Sequence, residues 1–424
     1  MKPFQKTILP NGMRVILAPE KENVATTILV LVEAGSKYET KDINGLSHFL
    51  EHMCFKGTTK RPTALAIAGE LDGIGAEYNA FTSQEWTGYF VKVQAHKSDQ
   101  ALDIISDLYL NPVFDAAEIE KEKGVIIEEI NMYEDLPPRR VGELFTNLLY
   151  GDQPAGWDIG GRKEVIRKLN RDDFLKYRGE HYVSKATVIV VAGAFDEQKM
   201  LEQIKTQFAN HKDNIKSGKL KTIEAQTKPA IKIQFKESDQ THLILGCRVF
   251  DAFDERRYAL EILGDVLGGG MSSRLFQRVR EQMGAAYYVR AGSDLFTDHG
   301  FFSVASGVDH KKVEPVITAI LEELTKTATE KISDQELQRA KDHLSGRLLL
   351  GLETSDAVAN YYGGQEIMRE AIVDPETLMD KINKVTAGDI LSIAKEFFIN
   401  EKLNLAVIGP FKDEAALVKI LKFL

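Results

Sequence analysis

The segment His48-Phe49-Leu50-Glu51-His52 places two imidazoles and a carboxylate within five residues. On an α-helix, residues four apart lie on one face, so His48 and His52 can each direct a ring nitrogen at one metal ion. Glu51 shares that face without having to bind the ion, and it could take a proton from a water molecule at the metal. The alternative is a pair of surface histidines on an amphipathic helix. The spacing favours a hydrolytic zinc centre.

A catalytic zinc ion usually has three protein ligands, so a third ligand is expected on another element. The stretch 122–135 is predicted to be a helix that ends before the pair Pro137-Pro138. Its apolar stripe would consist of Val125, Ile126, Ile130 and Tyr133. Glu122 and Glu129 lie two turns apart on one face. Acidic residues on a helix are more often a solvated surface, but the histidine pair favours a metal site here.

The run 45–58, GLSHFLEHMCFKGT, and the spacing Glu122-x6-Glu129 resemble two motifs of the pitrilysin or insulinase-type zinc peptidases, the inverzincins. Within this family the chain resembles bacterial processing proteases and the β subunit of mitochondrial processing peptidase. The resemblance implies one zinc ion per chain. Its ligands would be His48, His52 and Glu129. Glu51 would be the catalytic base, and Glu122 would be an acid that orients a ligand. The neighbouring Glu128 is the alternative third ligand.

A further block precedes the alternating run 87–93, which is predicted to be a strand. The block consists of Asn79, Ala80, Phe81 and Thr82. In the family, the corresponding edge strand pairs with the main chain of the substrate. Strand addition of this kind recognises backbone and tolerates varied side chains. The alternative is an ordinary hairpin strand, with Phe81 and Trp86 in the core.

In the second half of the chain, Arg280 and Tyr287 resemble the arginine and tyrosine that family members contribute to the active site from the half without zinc. A guanidinium and a phenol directed at the scissile carbonyl would stabilise the negative charge that develops on its oxygen. The alternatives are a surface ion pair for Arg280 and a core position for Tyr287. Tyr288 is the neighbouring candidate for the phenol.

Two similar strand-to-turn segments end at Gly193 and Gly409, which are 216 positions apart (409 − 193). At a similar offset, a helix predicted over 333–350 matches the helix that carries Glu129, and it sets Arg347 opposite that residue. An arginine cannot ligate zinc. The repeat therefore predicts two related halves, of which only the first can hold the metal.

The polar stretch 215–229 is predicted to link a zinc-binding catalytic domain, 1–214, to a non-metal domain, 230–424, that carries the arginine and the tyrosine. Both halves mix short β-branched strands with helices. The predicted fold class is α+β, with two homologous α/β sandwich domains, each a mostly antiparallel sheet covered by helices.

Composition restricts the partners and the compartment. The hydrophobic share is 43%, and no run of eighteen apolar residues predicts a membrane span. The first residues form neither a hydrophobic signal core nor an Arg-rich presequence, which predicts a cytoplasmic protein. A net charge of -9 argues against general binding to nucleic acid. Cys54 and Cys247 cannot make a disulfide framework and are predicted to be buried.

These observations predict a zinc-dependent endopeptidase that hydrolyses short or unfolded peptides. By resemblance, two chains would form a chamber in which each active site is completed by the other protomer. Because one chain carries both the zinc motif and the Arg/Tyr pair, a homodimer would suffice. The alternatives are a non-catalytic assembly subunit and a catalytic subunit of an obligate heterodimer.

Overall fold

Two β-sheets, each with helices packed against it, make up the part of the chain that the computed structural model describes, residues 4–369 and 371–423. The chain divides into two compact units. Unit 1 takes in the chain up to Ile130, Asp158–Leu220 and Leu349–Val373. Unit 2 takes in Asn131–Trp157, Lys221–Leu348 and the chain from Asp374.

The strands, in chain order, are β1 (Gln5–Ile8), β2 (Arg14–Pro19), β3 (Ala25–Val32), β4 (Glu77–Thr82), β5 (Thr87–Gln94), β6 (Thr187–Gly193), β7 (Ala230–Phe235), β8 (Thr241–Val249), β9 (Ala286–Leu295), β10 (Gly300–Val308) and β11 (Leu403–Gly409). The helices are α1 (Leu46–Cys54), α2 (Ala64–Gly73), α3 (Ser98–Leu110), α4 (Ala116–Glu134), α5 (Pro137–Tyr150), α6 (Lys163–Ile166), α7 (Arg171–His181), α8 (Glu197–Gln207), α9 (Arg257–Gly268), α10 (Val313–Thr329), α11 (Asp334–Gly351), α12 (Ser355–Arg369), α13 (Pro375–Lys384), α14 (Ala387–Phe397) and α15 (Ala415–Ile420). A π-helical segment, Phe276–Gln282, precedes β9.

The two sheets share one strand order. The sheet of unit 1 runs β1-β2-β6-β3-β5-β4, and the sheet of unit 2 runs β7-β11-β8-β10-β9. Apart from the extra β1, each strand of the second sheet corresponds to the strand five numbers lower in the first. Within each sheet one pair is parallel, β2 with β6 and β7 with β11, and the other pairs are antiparallel. The predicted fold class is therefore confirmed.

The repeat found in the sequence coincides with equivalent strands. Gly193 ends β6 and Gly409 ends β11, the two strands that occupy the same place in their sheets. Gly193 has a φ of 107°, and a Cβ there would lie 2.1 Å from the carbonyl oxygen of Ala25. Only glycine fits this position without a shift of the backbone.

Two helices pack against the sheet of the other half of the sequence. Helix α5 lies on β8 and β11 in unit 2, with Val141 and Phe145 buried. Helix α12 lies on β3 and β6 in unit 1, where a Cβ on Gly363 would come within 2.7 Å of Leu31 Cδ1. Unit 1 therefore includes α12 from the second half of the sequence, and unit 2 includes α5 from the first half. The division into contiguous domains 1–214 and 230–424 stays a prediction.

Helix α4 differs from the helix predicted over 122–135 in where it begins and in one residue of its apolar stripe. It begins earlier, at Ala116, and the proline pair that follows it also opens α5, with proline in its first turn. Ile126 is fully buried, but Val125 is 50% exposed, so the predicted stripe is wrong at that residue. Neighbouring helical residues point about 100° apart, so both cannot lie on one narrow face.

Helix α1 is held by the core of unit 1. One face buries Phe49, Leu50 and Met53, and the Phe49 ring packs edge-on against Phe174 at 4.9 Å between centroids. Cys54 is buried at the end of the same helix, as predicted. In unit 2, Cys247 is also buried, as predicted. Within residues 4–369 and 371–423, no helix combines the length and apolarity needed to cross a membrane.

Candidate metal centre

The face of α1 opposite its buried residues presents the two histidines of the H-x-x-E-H segment. The Nε2 atoms of His48 and His52 lie 3.6 and 3.5 Å from Oε2 of Glu129 on α4. One ligand atom from each of the three residues falls within 4.8 Å of the others, and among the described residues no other such group of three or more His, Cys, Asp or Glu occurs. Two atoms bound to a tetrahedral zinc ion at roughly 2.05 Å lie about 3.4 Å apart. The three residues therefore fit a zinc ion.

Glu128 lies outside this group. Its side chain is exposed, while Glu129 on the next position of α4 is partly buried beside the two histidines. The helical turn of about 100° per residue separates the two carboxylates. The structure therefore brings Glu129 to the histidines and leaves Glu128 apart from the ligand group.

Glu122 lies behind His52. Its Oε1 is 3.0 Å from His52 Nδ1, and its Oε2 is 2.6 Å from Nζ of Lys56. Burial acts to raise the pKa of Glu122, but the hydrogen bonds with His52 and Lys56 outweigh burial and hold that pKa below its usual value. An ionised Glu122 accepts the Nδ1 proton of His52 and so leaves Nε2 available to a metal. Lys56 had no predicted role, although it lies four residues after His52.

Glu51 is 9% exposed, and its carboxylate is hydrogen-bonded by a residue of β4. The hydroxyl of Thr82 donates to Glu51 Oε2 at 2.5 Å. Burial is the main cause of a raised pKa of Glu51, which the Thr82 hydrogen bond partly offsets. A carboxylate with a raised pKa holds a proton more readily, as a group that accepts and returns one must.

The N-terminus of α1 is capped from a distance by Glu39. Its carboxylate accepts the backbone N–H groups of Ser47 at 2.6 Å and Gly45 at 2.8 Å. Burial raises the pKa of Glu39 to about 7, while these hydrogen bonds lower it. The carboxylate satisfies amides that have no partner within the helix, and it fixes the start of α1. Sequence reasoning missed Glu39 because it lies six residues before the N-cap, Gly45, outside the usual local capping pattern.

The block predicted to bind substrate lies on β4, the last strand of the unit 1 sheet. It comprises Asn79, Ala80, Phe81 and Thr82. Within the described sheet, β4 pairs on one side, with β5, and it also packs against α1. Phe81 and Trp86 are partly buried and do not belong to the fully buried core. The structure thus places an edge strand beside the candidate metal centre.

Arg280 and Tyr287 lie together in unit 2. Arg280 belongs to the π-helical segment and donates from Nη1 to the carbonyl oxygen of Tyr287 at 2.7 Å. The side chain of Tyr287 is 74% exposed at the start of β9, so a core position for it is wrong. Tyr288 instead places its hydroxyl 3.0 Å from Nδ1 of His242. Of the two neighbouring tyrosines, Tyr287 is therefore the one whose side chain is exposed and accessible to a ligand.

Comparison with known protein families agrees with the fold. Residues 14–161 match the model of the insulinase family, peptidase family M16, and residues 168–344 match the M16 inactive domain. Three similar bacterial proteins are each named "Uncharacterized zinc protease". The one from Streptomyces coelicolor is 34% identical over 97% of this chain and 91% of its own. The one from Rickettsia felis is 35% identical over 96% and 98%, and the one from Bacillus subtilis is 34% identical over 94% and 97%.

The chain therefore belongs to the insulinase family of M16 peptidases, and its relatives are named as zinc proteases. Two crystal structures share its fold. A protease from Helicobacter pylori superposes with a TM-score of 0.89 at 22% identity, over 96% of this chain and 100% of that one. A peptidase M16 inactive domain from Pseudomonas fluorescens gives 0.88 at 18% identity, over 96% and 98%.

Proposed function

We propose that this protein is a zinc-dependent endopeptidase with one zinc ion per chain, bound by His48, His52 and Glu129. The observation that carries the proposal is the approach of both histidine Nε2 atoms to one oxygen of Glu129, at 3.6 and 3.5 Å. Glu51 lies on the same helix turn as the histidines and is the carboxylate available for proton transfer.

The bound zinc ion would supply a Lewis acid that polarises the scissile carbonyl and makes water more acidic. Glu51 takes the proton from the attacking water and returns it to the leaving amine. Glu122 keeps His52 in the tautomer whose Nε2 faces the ligand group. Tyr287 and Arg280 would stabilise the negative charge that develops on the carbonyl oxygen.

The substrates proposed are short or unfolded peptides. Their main chain would add to the edge of β4 along Asn79, Ala80 and Phe81, which accommodates many side chains because the contacts are to backbone. The further proposals are a homodimer that encloses the active sites in a chamber and a cytoplasmic location. The presence of His48, Glu51, His52 and Glu129 in one chain opposes the alternative of a non-catalytic subunit.

Metal depletion tests the enzymatic proposal. Wild-type protein is dialysed against a chelator and then against chelator-free buffer, and its cleavage of a diverse peptide mixture is followed by mass spectrometry. Cleavage should disappear on depletion and return on addition of one equivalent of zinc per chain. Undiminished cleavage by protein shown to be metal-free would refute the proposal. The cut sites would also give the residue preference.

A mixing experiment tests the homodimer. A Glu51→Gln protomer and a Tyr287→Phe protomer are each prepared alone and then mixed under conditions in which labelled subunits exchange. Recovery of activity on mixing supports active sites completed across the dimer. Absence of recovery despite proven exchange, or a pure chain that is monomeric by light scattering, counts against the homodimeric chamber.

A further inference from the structure

We infer that Thr82 is a positioning residue whose hydroxyl holds the carboxylate of Glu51 in the orientation needed for proton transfer. The inference rests on the proposed function and changes the predicted role of Thr82, which the sequence grouped with the substrate-binding strand. The contact that carries it is the 2.5 Å hydrogen bond from Thr82 Oγ1 to Glu51 Oε2.

A glutamate that acts as a base needs more than a place on the helix. Helix α1 fixes the Cα of Glu51, but the side chain has three further rotatable bonds, so its carboxylate can point in several directions. The bond from Thr82 fixes Oε2 and leaves Oε1 for exchange of a proton with substrate or water. Because the approach of reacting groups is sensitive to small displacements, fixing this carboxylate should affect the rate of the chemical step.

Threonine suits this position at the end of β4. Its β-branched side chain has few allowed rotamers, so the strand sets the direction of the hydroxyl. The neighbouring Thr87 donates to the carbonyl oxygen of Ala34 at 2.8 Å and lies 3.4 Å from Thr82 Oγ1. Thr87 is itself fully buried. The hydroxyl that meets Glu51 therefore projects from a well-packed hairpin.

One short segment fixes both partners of the hydrogen bond. The backbone N–H groups of Ser36 and Lys37 donate to the carbonyl oxygens of Ser83 and Gln84, at 3.2 and 2.8 Å, in the turn that follows Thr82. Two residues further along, Glu39 caps α1, the helix of Glu51. The segment thus ties the end of β4 and the start of α1 to the same backbone.

Gly35 allows this close contact. A Cβ on Gly35 would lie 2.4 Å from the carbonyl oxygen of Ser83, so any other residue would push the turn away. Lys37 is buried beside Glu85 of the same turn, with its Nζ 3.6 Å from Glu85 Oε1. The distance between Thr82 and Glu51 is therefore set by packed backbone on both sides.

The test uses full-length zinc-loaded protein and a fluorescent peptide that the wild type cleaves. Thr82→Val removes the hydroxyl and keeps the shape, and Thr82→Ser keeps the hydroxyl. Thr82→Ala is a second hydroxyl-free variant in case valine impairs folding. Thr7→Val, the same change on strand β1 of the same sheet, is the matched control. For each variant, kcat, KM, zinc per chain and thermal unfolding are measured.

The inference predicts that kcat of Thr82→Val or Thr82→Ala falls about tenfold or more, because the lost hydrogen bond is to a charged group. Zinc content and KM should stay close to wild type, Thr82→Ser should recover most of kcat, and Thr7→Val should be unchanged. Unchanged kcat in the hydroxyl-free variants, a Thr82→Ser variant as slow as they are, or loss of zinc would each overturn it.

A comparison of peptide binding in the inactive Glu51→Gln background separates positioning of Glu51 from binding of substrate. The affinity for the fluorescent peptide is measured in Glu51→Gln and in Glu51→Gln/Thr82→Val. Equal affinities support positioning, whereas weaker binding of the double variant by the factor lost in catalysis would assign Thr82 to substrate binding and overturn the inference. If the wild type itself cleaves no peptide, the proposed function fails first, and this outcome is distinct from all of those above.

Discussion

His52 and Glu122 form a direct contact, with Nδ1 of the histidine 3.0 Å from Oε1 of the carboxylate. The other carboxylate oxygen of Glu122 meets Lys56 at 2.6 Å. Lys56 pairs with Glu122, and Glu122 in turn contacts His52, so the imidazole is oriented by a carboxylate that is itself paired with a cation. Orientation of His52 should therefore depend on the charge of Glu122.

Glu122→Gln is expected to weaken zinc binding about 10-fold to 100-fold, because the neutral amide no longer enforces one tautomer of His52. Competition with a chromophoric chelator measures the affinity. Glu118→Gln is the matched control, since Glu118 lies one turn away on α4 and pairs with Lys121 at the surface. Equal zinc affinity of Glu122→Gln and wild type would show that Glu122 does not orient a ligand.

The third ligand can be decided by two adjacent substitutions. Glu129→Gln is expected to lower zinc content well below one ion per chain, because it removes the carboxylate that faces both Nε2 atoms. Glu128→Gln should keep a full ion, because the Glu128 side chain is exposed. Elemental analysis of the two purified variants gives the answer. The reverse pattern would make Glu128 the ligand.

Short-range periodicity was enough to find part of the site. The spacing of His48, Glu51 and His52 requires only that one helix form, and α1 does form there. The contact of Thr82 with Glu51 joins residues 31 positions apart, so no local pattern contains it. Lys56 was visible in the sequence, but its partner is on another helix. Long-range pairs of this kind depend on the packing of complete elements.

Prediction of the fold from the sequence had the same limit. Alternation and β-branched residues indicated the strands, and the repeat indicated two related halves. A helical pattern shows which face of a helix is apolar but not which sheet covers that face. For this reason the packing of α5 on the unit 2 sheet and of α12 on the unit 1 sheet did not follow from the order of elements along the chain.

Stability should depend on pH through the buried His181. Its ring contacts the rings of Tyr38 and Tyr177, and burial lowers the pKa of His181 from 6.5 to about 4. The unfolded chain therefore binds a proton at His181 at a higher pH than the folded chain does. The contribution of neutral His181 to the stability of the fold is fully present above pH 6.5 and is lost as the pH falls towards 4. At pH 5 the loss from this residue is about 2 kcal/mol.

His181→Phe is expected to reduce the fall in Tm between pH 7 and pH 5, because phenylalanine cannot take up the proton. The exposed His96→Gln should leave that fall unchanged. Calorimetry of the three proteins at both pH values measures the difference. A His181→Phe variant with the same pH dependence as wild type would show that protonation of His181 is not coupled to unfolding.

Substitution of the two adjacent glycines Gly363 and Gly364 on α12 should change the stability of unit 1 in opposite directions. A Cβ on Gly363 would lie 2.7 Å from Leu31 Cδ1, whereas a Cβ on Gly364 would meet nothing within 4 Å. Gly363→Val is expected to destabilise unit 1 by about 1–3 kcal/mol through overpacking. Gly364→Ala should stabilise it by about 0.5–1 kcal/mol, because alanine favours the helix. Tm values measure both, and a tolerated Gly363→Val would contradict the packing of α12 on this sheet.

Glu51 is proposed to act as the base beside a zinc ion held by His48, His52 and Glu129. The most direct measurement compares wild type with Glu51→Gln for zinc per chain and for the rate of peptide cleavage. We expect one zinc ion in both proteins and a loss of about 10²-fold to 10⁴-fold in kcat for the variant. Cleavage by Glu51→Gln at the wild-type rate, or folded wild-type protein that cannot be loaded with zinc, would contradict it.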